Sequence, residues 1–149
     1  MGNNHVGPNK DKIGYEIKTL SNLIKRRIDN SAVFSEEVTG MHGWIIRYLY
    51  HSRDKRDIFQ RDIETEFSIR RSTVTGILQL MEKNNLIRRE PVGYDARLKK
   101  LVLTQKAIEI YEAIQKELDN LERQLAKDLT KEELTVFFSV MRKMRKNLE

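Results

Sequence analysis

Between positions 70 and 100 the chain carries Arg70, Arg71, Lys83, Arg88, Arg89, Arg97, Lys99 and Lys100 against only Glu82, Glu90 and Asp95, a net +5. The rest of the chain holds 20 basic and 19 acidic groups, so this fifth of the length supplies nearly all of the formal +6. Charge so concentrated suits a polyanion, because pairing Lys and Arg with phosphates supplies most of the non-specific energy of nucleic-acid binding. On charge alone, a solvated basic face is an equal reading. The same stretch also offers groups able to read base edges: Arg70, Arg71, Ser72, Thr73, Thr75 and, one turn on, Gln79. Arginine pairs bidentately with guanine and glutamine with adenine, and a threonine hydroxyl bonds to a base or a phosphate. Asp95, two residues from Arg97, can hold that guanidinium through charge-assisted hydrogen bonds.

Other chemistry is poorly represented. With no cysteine, the chain has no disulfide framework, thiolate zinc site or iron–sulfur cluster. His5, His42 and His51 lack the short helical spacing of a metal pair, and Glu36-Glu37 and Glu132-Glu133 are adjacent, so each pair diverges instead of facing one atom. No phosphate-cradling glycine loop or nucleophile elbow is present. The expectation is a protein that is not an enzyme, with no cofactor and no metal. One cluster could take a small molecule: Trp44 and Tyr48 with His42, Arg47 and Ile17 could line a pocket for an aromatic anion, the rings as walls and Arg47 as counter-charge. The competing reading makes Trp44 and Tyr48 core aromatics and Arg47 a solvated residue.

The elements that must position these residues are mostly helical. A length of 149 residues suits one domain, and 39% hydrophobic residues are enough to fold it despite 34% charged ones. No run is long and apolar enough to span a membrane, and the start lacks the features of a signal peptide, so a soluble cytoplasmic protein without membrane contact is expected. Residues 1–11 read as a flexible tail. Ile13, Ile17, Leu20, Ile24 and Ile28 predict an amphipathic helix ending near Asn30. A second helix follows Val38-Thr39, with Met41, Ile45, Tyr48 and Leu49 on one stripe and Gly43 weakening its middle. Helical patterns over Gln60–Phe67 and Arg70–Asn84, only two or three residues apart, predict a helix-turn-helix in which Ile63, Phe67, Ile69, Val74 and Ile77 bury the shared corner. Ser72, Thr73 and Thr75 then face outward.

Two short strands, Leu86–Glu90 and Lys99–Leu103, flank a turn segment over Pro91–Asp95 and predict a β-hairpin wing. Of the wing residues, Arg88, Arg89, Lys99 and Lys100 are either phosphate contacts or solvated, since neighbours on a strand face opposite ways. Thr104 can cap a helix reaching about Asp128, seamed by Ala107, Tyr111, Ile114, Leu118, Leu121 and Leu125 and about 37 Å long at 1.5 Å per residue. Such a helix overshoots a compact winged helix and needs a partner for part of its seam. Thr130 and Glu133 form a capping-box pair opening a last helix with Leu134, Phe137, Met141, Met144 and Leu148 on one side. The reading is mainly α with a small hairpin: a winged helix-turn-helix over 36–103 and a helical dimerisation region over 12–35 and 104–149.

Three segments resemble the multiple antibiotic resistance regulator (MarR) family: Arg71-Ser72-Thr73-Val74-Thr75, then Leu80 to Arg89, then Asp95-Ala96-Arg97 leading to Leu101-Val102-Leu103-Thr104. Ser68, where many such motifs have a turn glycine, and Arg70, where a small capping residue is common, depart from the pattern. The resemblance implies a homodimer that binds a pseudo-palindromic duplex, regulates and usually represses transcription, and in many members releases DNA on binding a small aromatic or phenolic anion. It also implies that Arg97 reaches the minor groove, where narrow A·T-rich segments concentrate negative potential. Alternatives are a constitutive DNA binder without a ligand and a winged-helix scaffold for protein interaction.

Overall fold

The structure, a computed structural model, describes residues 7–149, so most of the expected tail lies outside the described residues; a turn closes at its end, with the Lys10 amide donating to Gly7 O at 3.2 Å. The chain forms two compact units, Met1–Gln115 and Lys116–Glu149. Their division falls inside a helix, and the first helix belongs to the same unit as the helix-turn-helix.

In the first unit, α1 (Ile13–Asp29) buries only Ile28; Ile13, Ile17, Leu20 and Leu23 are exposed along its length. Next comes α2 (Gly40–Ser52), opened by a reciprocal cap. Thr39 Oγ1 accepts from the His42 amide at 3.3 Å, and the Thr39 amide donates to His42 Nδ1 at 3.2 Å. Its middle is unbroken, and Gly43 has a packing role: a Cβ there would lie 2.7 Å from Phe34 Cε1 and 3.3 Å from Ile114 Cγ2. The buried face of α2 is His42, Gly43, Ile45, Ile46 and Leu49, so Met41 and Tyr48 sit at its border and not in its centre.

α3 (Gln60–Phe67) and α4 (Arg71–Lys83) form the helix-turn-helix. Ser68 takes the left-handed conformation (φ 52°, ψ 46°) that a turn glycine would supply, and the Ile69 amide reaches back to Glu64 O at 3.0 Å. The turn therefore forms without glycine. Its corner is closed by Ile63, Val74, Leu78 and Met81, all fully buried, while Phe67, Ile69 and Ile77 are half-buried. Leu78 thus takes the central place expected of Ile77.

The wing pairs β1 (Ile87–Val92) antiparallel with β2 (Asp95–Leu103). Both strands are longer than expected, and the turn shrinks from five residues to Gly93 and Tyr94. The ladder is regular from Ile87↔Leu103 to Pro91↔Lys99, then jumps to Val92↔Asp95, which leaves Ala96, Arg97 and Leu98 on an unpaired bulge. Thr104 caps α5 (Gln105–Ala126) by accepting from the Ala107 amide at 3.2 Å, and its own hydroxyl donates to Asn85 O at 2.7 Å. Ala107, Tyr111 and Ile114 of this helix join the core.

In the second unit, Leu118 and Leu121 are buried and Leu125 is exposed. α6 (Lys131–Lys146) opens with the expected capping box, the Glu133 amide donating to Thr130 Oγ1 at 3.1 Å and the Thr130 amide to Glu133 Oε2 at 2.8 Å. It buries no residue, and Val136, Phe137, Phe138 and Val140 are exposed. No helix among the described residues is long and apolar enough to cross a membrane.

Candidate nucleic-acid interface

The buried stripe Val74–Leu78–Met81 turns the opposite side of α4 outward, and Arg70, Arg71, Ser72, Thr73 and Gln79 are exposed on it. Arg70 is the N-cap and contributes no side-chain bond to the first turn. Ser72 therefore does not cap the helix. Thr75 is half-buried and differs from its neighbours: its hydroxyl donates to Arg71 O at 2.9 Å and accepts from Gln60 Nε2 at 2.8 Å. Its polar atom is engaged inside the protein, because an α4 position one turn from Arg71 faces the start of α3.

On the wing, Asp95 holds Arg97 through three bonds: its carboxylate accepts from the Arg97 amide at 2.9 Å, from Nε at 3.2 Å and from Nη2 at 3.3 Å. These bonds from side chain and backbone keep the Asp95 carboxyl below its ordinary pKa. The Arg97 side chain is 90% exposed on its bulge, so the pairing orients the guanidinium without withdrawing it from solvent. Strand alternation sorts the remaining cations. Arg89 and Lys99 line one side of the hairpin, whereas Lys100 reaches Asp57 at 3.7 Å and Arg88 reaches Glu90 at 3.4 Å. Arg89 is itself paired with Glu82 at 2.7 Å, so three of the four basic wing residues first considered for phosphate contact already face carboxylates.

A cleft of about 370 Å³ lies where these elements meet, lined by Arg61 and Glu64 of α3, Arg71 of α4, Arg89 of β1, and Arg97 and Lys99 of β2. None of Arg70, Arg71 and Lys99 forms an ion pair among the described residues. Arg61 was not singled out in the sequence because it lies nine residues before the basic stretch; its position at the start of the first helix of the motif was the available signal.

Of the five residues considered for an aromatic pocket, Trp44, Arg47 and Tyr48 share a side of α2, and His42 does not. His42 is buried on the core side of α2, where Nδ1 also lies 3.2 Å from Glu37 O, and burial pushes its pKa down. Tyr48 stacks edge-on with Phe67 and accepts from Arg56 at 2.9 Å, while Arg47 donates to Gln115. Ile17 is exposed on α1 and Trp44 half-buried. Residues two apart on a helix point to nearly opposite sides, which separates His42 from Trp44. No group of His, Cys, Asp and Glu among the described residues could hold a metal ion.

A helix-turn-helix followed by a hairpin whose cations share a cleft with the second helix is a winged helix of the nucleic-acid-facing type. Comparison with known proteins agrees. The MarR family profile matches residues 37–98. The transcription regulator MarR from Oenococcus oeni PSU-1 is 35% identical, over 89% of this chain and 98% of that one, with a TM-score of 0.75. MepR of Staphylococcus aureus, in its DNA complex, is 26% identical over 95% of this chain and 99% of that one, with a TM-score of 0.83. The heme sensor PefR from Streptococcus agalactiae is 27% identical over 95% and 94%, with a TM-score of 0.63. No curated protein sequence matches the chain. The chain belongs to the MarR family of transcription regulators.

Proposed function

We propose that this protein is a homodimeric, sequence-specific binder of duplex DNA that represses transcription and is released by a small aromatic or phenolic anion. The observation that carries the DNA reading is the cleft shared by Arg61, Arg71, Arg97 and Lys99, which gathers cations from three elements beside the outward face of α4. Arg70, Arg71, Ser72, Thr73 and Gln79 read the major groove, and Arg97, aimed by Asp95, enters the adjacent minor groove. The exposed apolar residues of α1 and of α6 supply the faces that a second copy covers. Two recognition helices then meet successive major grooves about 34 Å apart, which requires a pseudo-palindromic operator. The MepR–DNA complex, at 26% identity, supports this use of the fold.

For the effector, a second cleft of about 210 Å³ offers an apolar floor of Leu49, Ile58, Leu101 and Leu103. It is lined also by Arg53, Arg56 and Lys100 and by the carboxylates of Asp57 and Glu90, with Arg53 and Arg56 paired to Asp54 and Asp62. A bound aromatic anion there would touch both α2 and the wing strand, so its differential affinity would shift the wing's alignment.

Selection of bound duplexes from a random pool, followed by fluorescence anisotropy across a salt series, tests the proposal. A palindromic winner, a steep salt slope and a loss of about 1–3 kcal/mol for Arg97→Ala are expected. A selection with no enriched sequence would refute specific DNA recognition, and titration calorimetry without binding by any of a panel of aromatic acids would refute effector release.

A further inference from the structure

The geometry points to Gln60 as a positioning residue that, with Arg89 and Thr75, locks the wing strand β1 to the base-reading start of α4; Arg89 is then a brace and not a phosphate contact. This rests on the DNA reading above.

Gln60 is the first residue of α3 and uses both ends of its amide. Its Oε1 accepts from Arg89 Nη1 at 3.5 Å, and its Nε2 donates to Thr75 Oγ1 at 2.8 Å and to Arg71 O at 3.4 Å. The amide has one workable orientation. An arginine only donates, so it requires the oxygen; the Thr75 hydroxyl already gives its proton to Arg71 O at 2.9 Å, so its oxygen requires a donor. Arg89 is fixed from its other edge by Glu82, which accepts from Nε at 2.7 Å. The chain of bonds thus runs from Glu82 on α4 through Arg89 on β1 to Gln60 on α3 and back to Thr75 on α4. Two anchors on α4, two turns apart, fix both its distance from the wing and its rotation about its own axis.

Pairing separates Arg89 from Arg71 and Lys99, and exposure separates it from Arg97, which is also paired. Its charge is answered by Glu82, and its side chain is 27% exposed, against 90% for Arg97. A neutralised arginine releases few condensed counterions when DNA binds, so removing it should leave the salt slope unchanged. Losing its fork geometry should instead blur the register of base contacts, reducing operator affinity while sparing binding to random duplex.

The test compares Arg89→Lys, Arg89→Gln, Thr75→Val and the double variant Thr75→Val/Arg89→Lys by anisotropy on the selected operator and on a random duplex. Each single variant should weaken operator binding about tenfold. The salt slope and the random-duplex affinity should stay at wild-type values, and the double variant should bind no worse than the weaker single one. Wild-type affinity in Arg89→Lys, a slope lower by about 0.9 in Arg89→Gln, or multiplied losses in the double variant would each overturn the inference. The Gln60 side-chain amide resonances of the DNA-free protein provide an independent reading: they should shift in both Arg89→Lys and Thr75→Val, and unmoved resonances would refute the bond chain even if no operator were found.

Discussion

Two helices of this protein carry a glycine in mid-helix, and replacing each with alanine should move stability in opposite directions. In a helix interior alanine is favoured over glycine by about 1 kcal/mol, because it loses less backbone entropy. Around Gly76 of α4 nothing lies within 4 Å of an added Cβ, so Gly76→Ala should gain close to that full amount, about 1 kcal/mol. At Gly43 of α2 the same methyl would meet Phe34 at 2.7 and 3.1 Å and Ile114 at 3.3 Å. Phe34 is 6% exposed and its ring is rigid, so relief requires moving a packed aromatic, at about 1–3 kcal/mol. Set against the propensity gain, Gly43→Ala should lose about 1 kcal/mol. Urea unfolding at one fixed protein concentration measures both, since subunit association would otherwise move the midpoint. In thermal melts each change corresponds to about 2–4 °C for a chain of this length. A Gly43→Ala variant that gains stability as Gly76→Ala does would refute the packing role assigned to that glycine, and a destabilised Gly76→Ala would refute the open surroundings described for α4. Gly76 lies one turn beyond Ser72 on the outward face, so the stabilised variant should also bind the operator less tightly.

Further outcomes follow from the other sites. The folded-state pKa of His42 is depressed by burial, so the unfolded chain binds the extra proton more readily and stability falls as pH drops through the ordinary histidine value of 6.5. His42→Gln keeps an acceptor for the Thr39 amide and should remove that part of the loss between pH 7 and the folded pKa, read from urea midpoints against pH. Asp95→Asn should weaken operator binding, though less than Arg97→Ala, because it frees the guanidinium without deleting it; wild-type affinity of Asp95→Asn in anisotropy would refute the orienting role of Asp95. Phe137→Glu places a charge on the exposed apolar side of α6 and should convert a dimer to monomer in sedimentation velocity, whereas an unchanged sedimentation coefficient would exclude that face from the interface.

The helices were legible because their apolar spacing and caps are local signals. Thr39, Thr104 and Thr130 each cap the helix they precede, and the helix-turn-helix was marked by the short gap between two amphipathic patterns. What was not legible depends on pairing across the fold. Gly43 reads as a weakness along α2 and acquires its purpose from Phe34 and Ile114, brought to it by the fold. The wing turn was expected to span five residues because Pro91, Val92 and Gly93 look like loop; the ladder extends through Pro91 and Val92 and places the irregularity on the opposite strand. Thr75 is indistinguishable from Thr73 by type, and only the partner on α3 shows that its hydroxyl is used internally. Arg89 and Lys99 share a cleft for the same reason, since hairpin register decides which neighbours face together.

The unpaired segment Ala96–Leu98 also bears on how such a wing can diversify. Five paired positions from Ile87↔Leu103 to Pro91↔Lys99 close the hairpin below it, so the tip does not set the register of the stem. An insertion or deletion among residues 93–98 would lengthen or shorten the reach of the arginine while leaving every hydrophobic residue of the stem on its original face. On the proposed reading of Arg97, operator preference at the minor groove is therefore adjustable in small steps, by changing a few residues at a time, without rebuilding the core that holds the recognition helix.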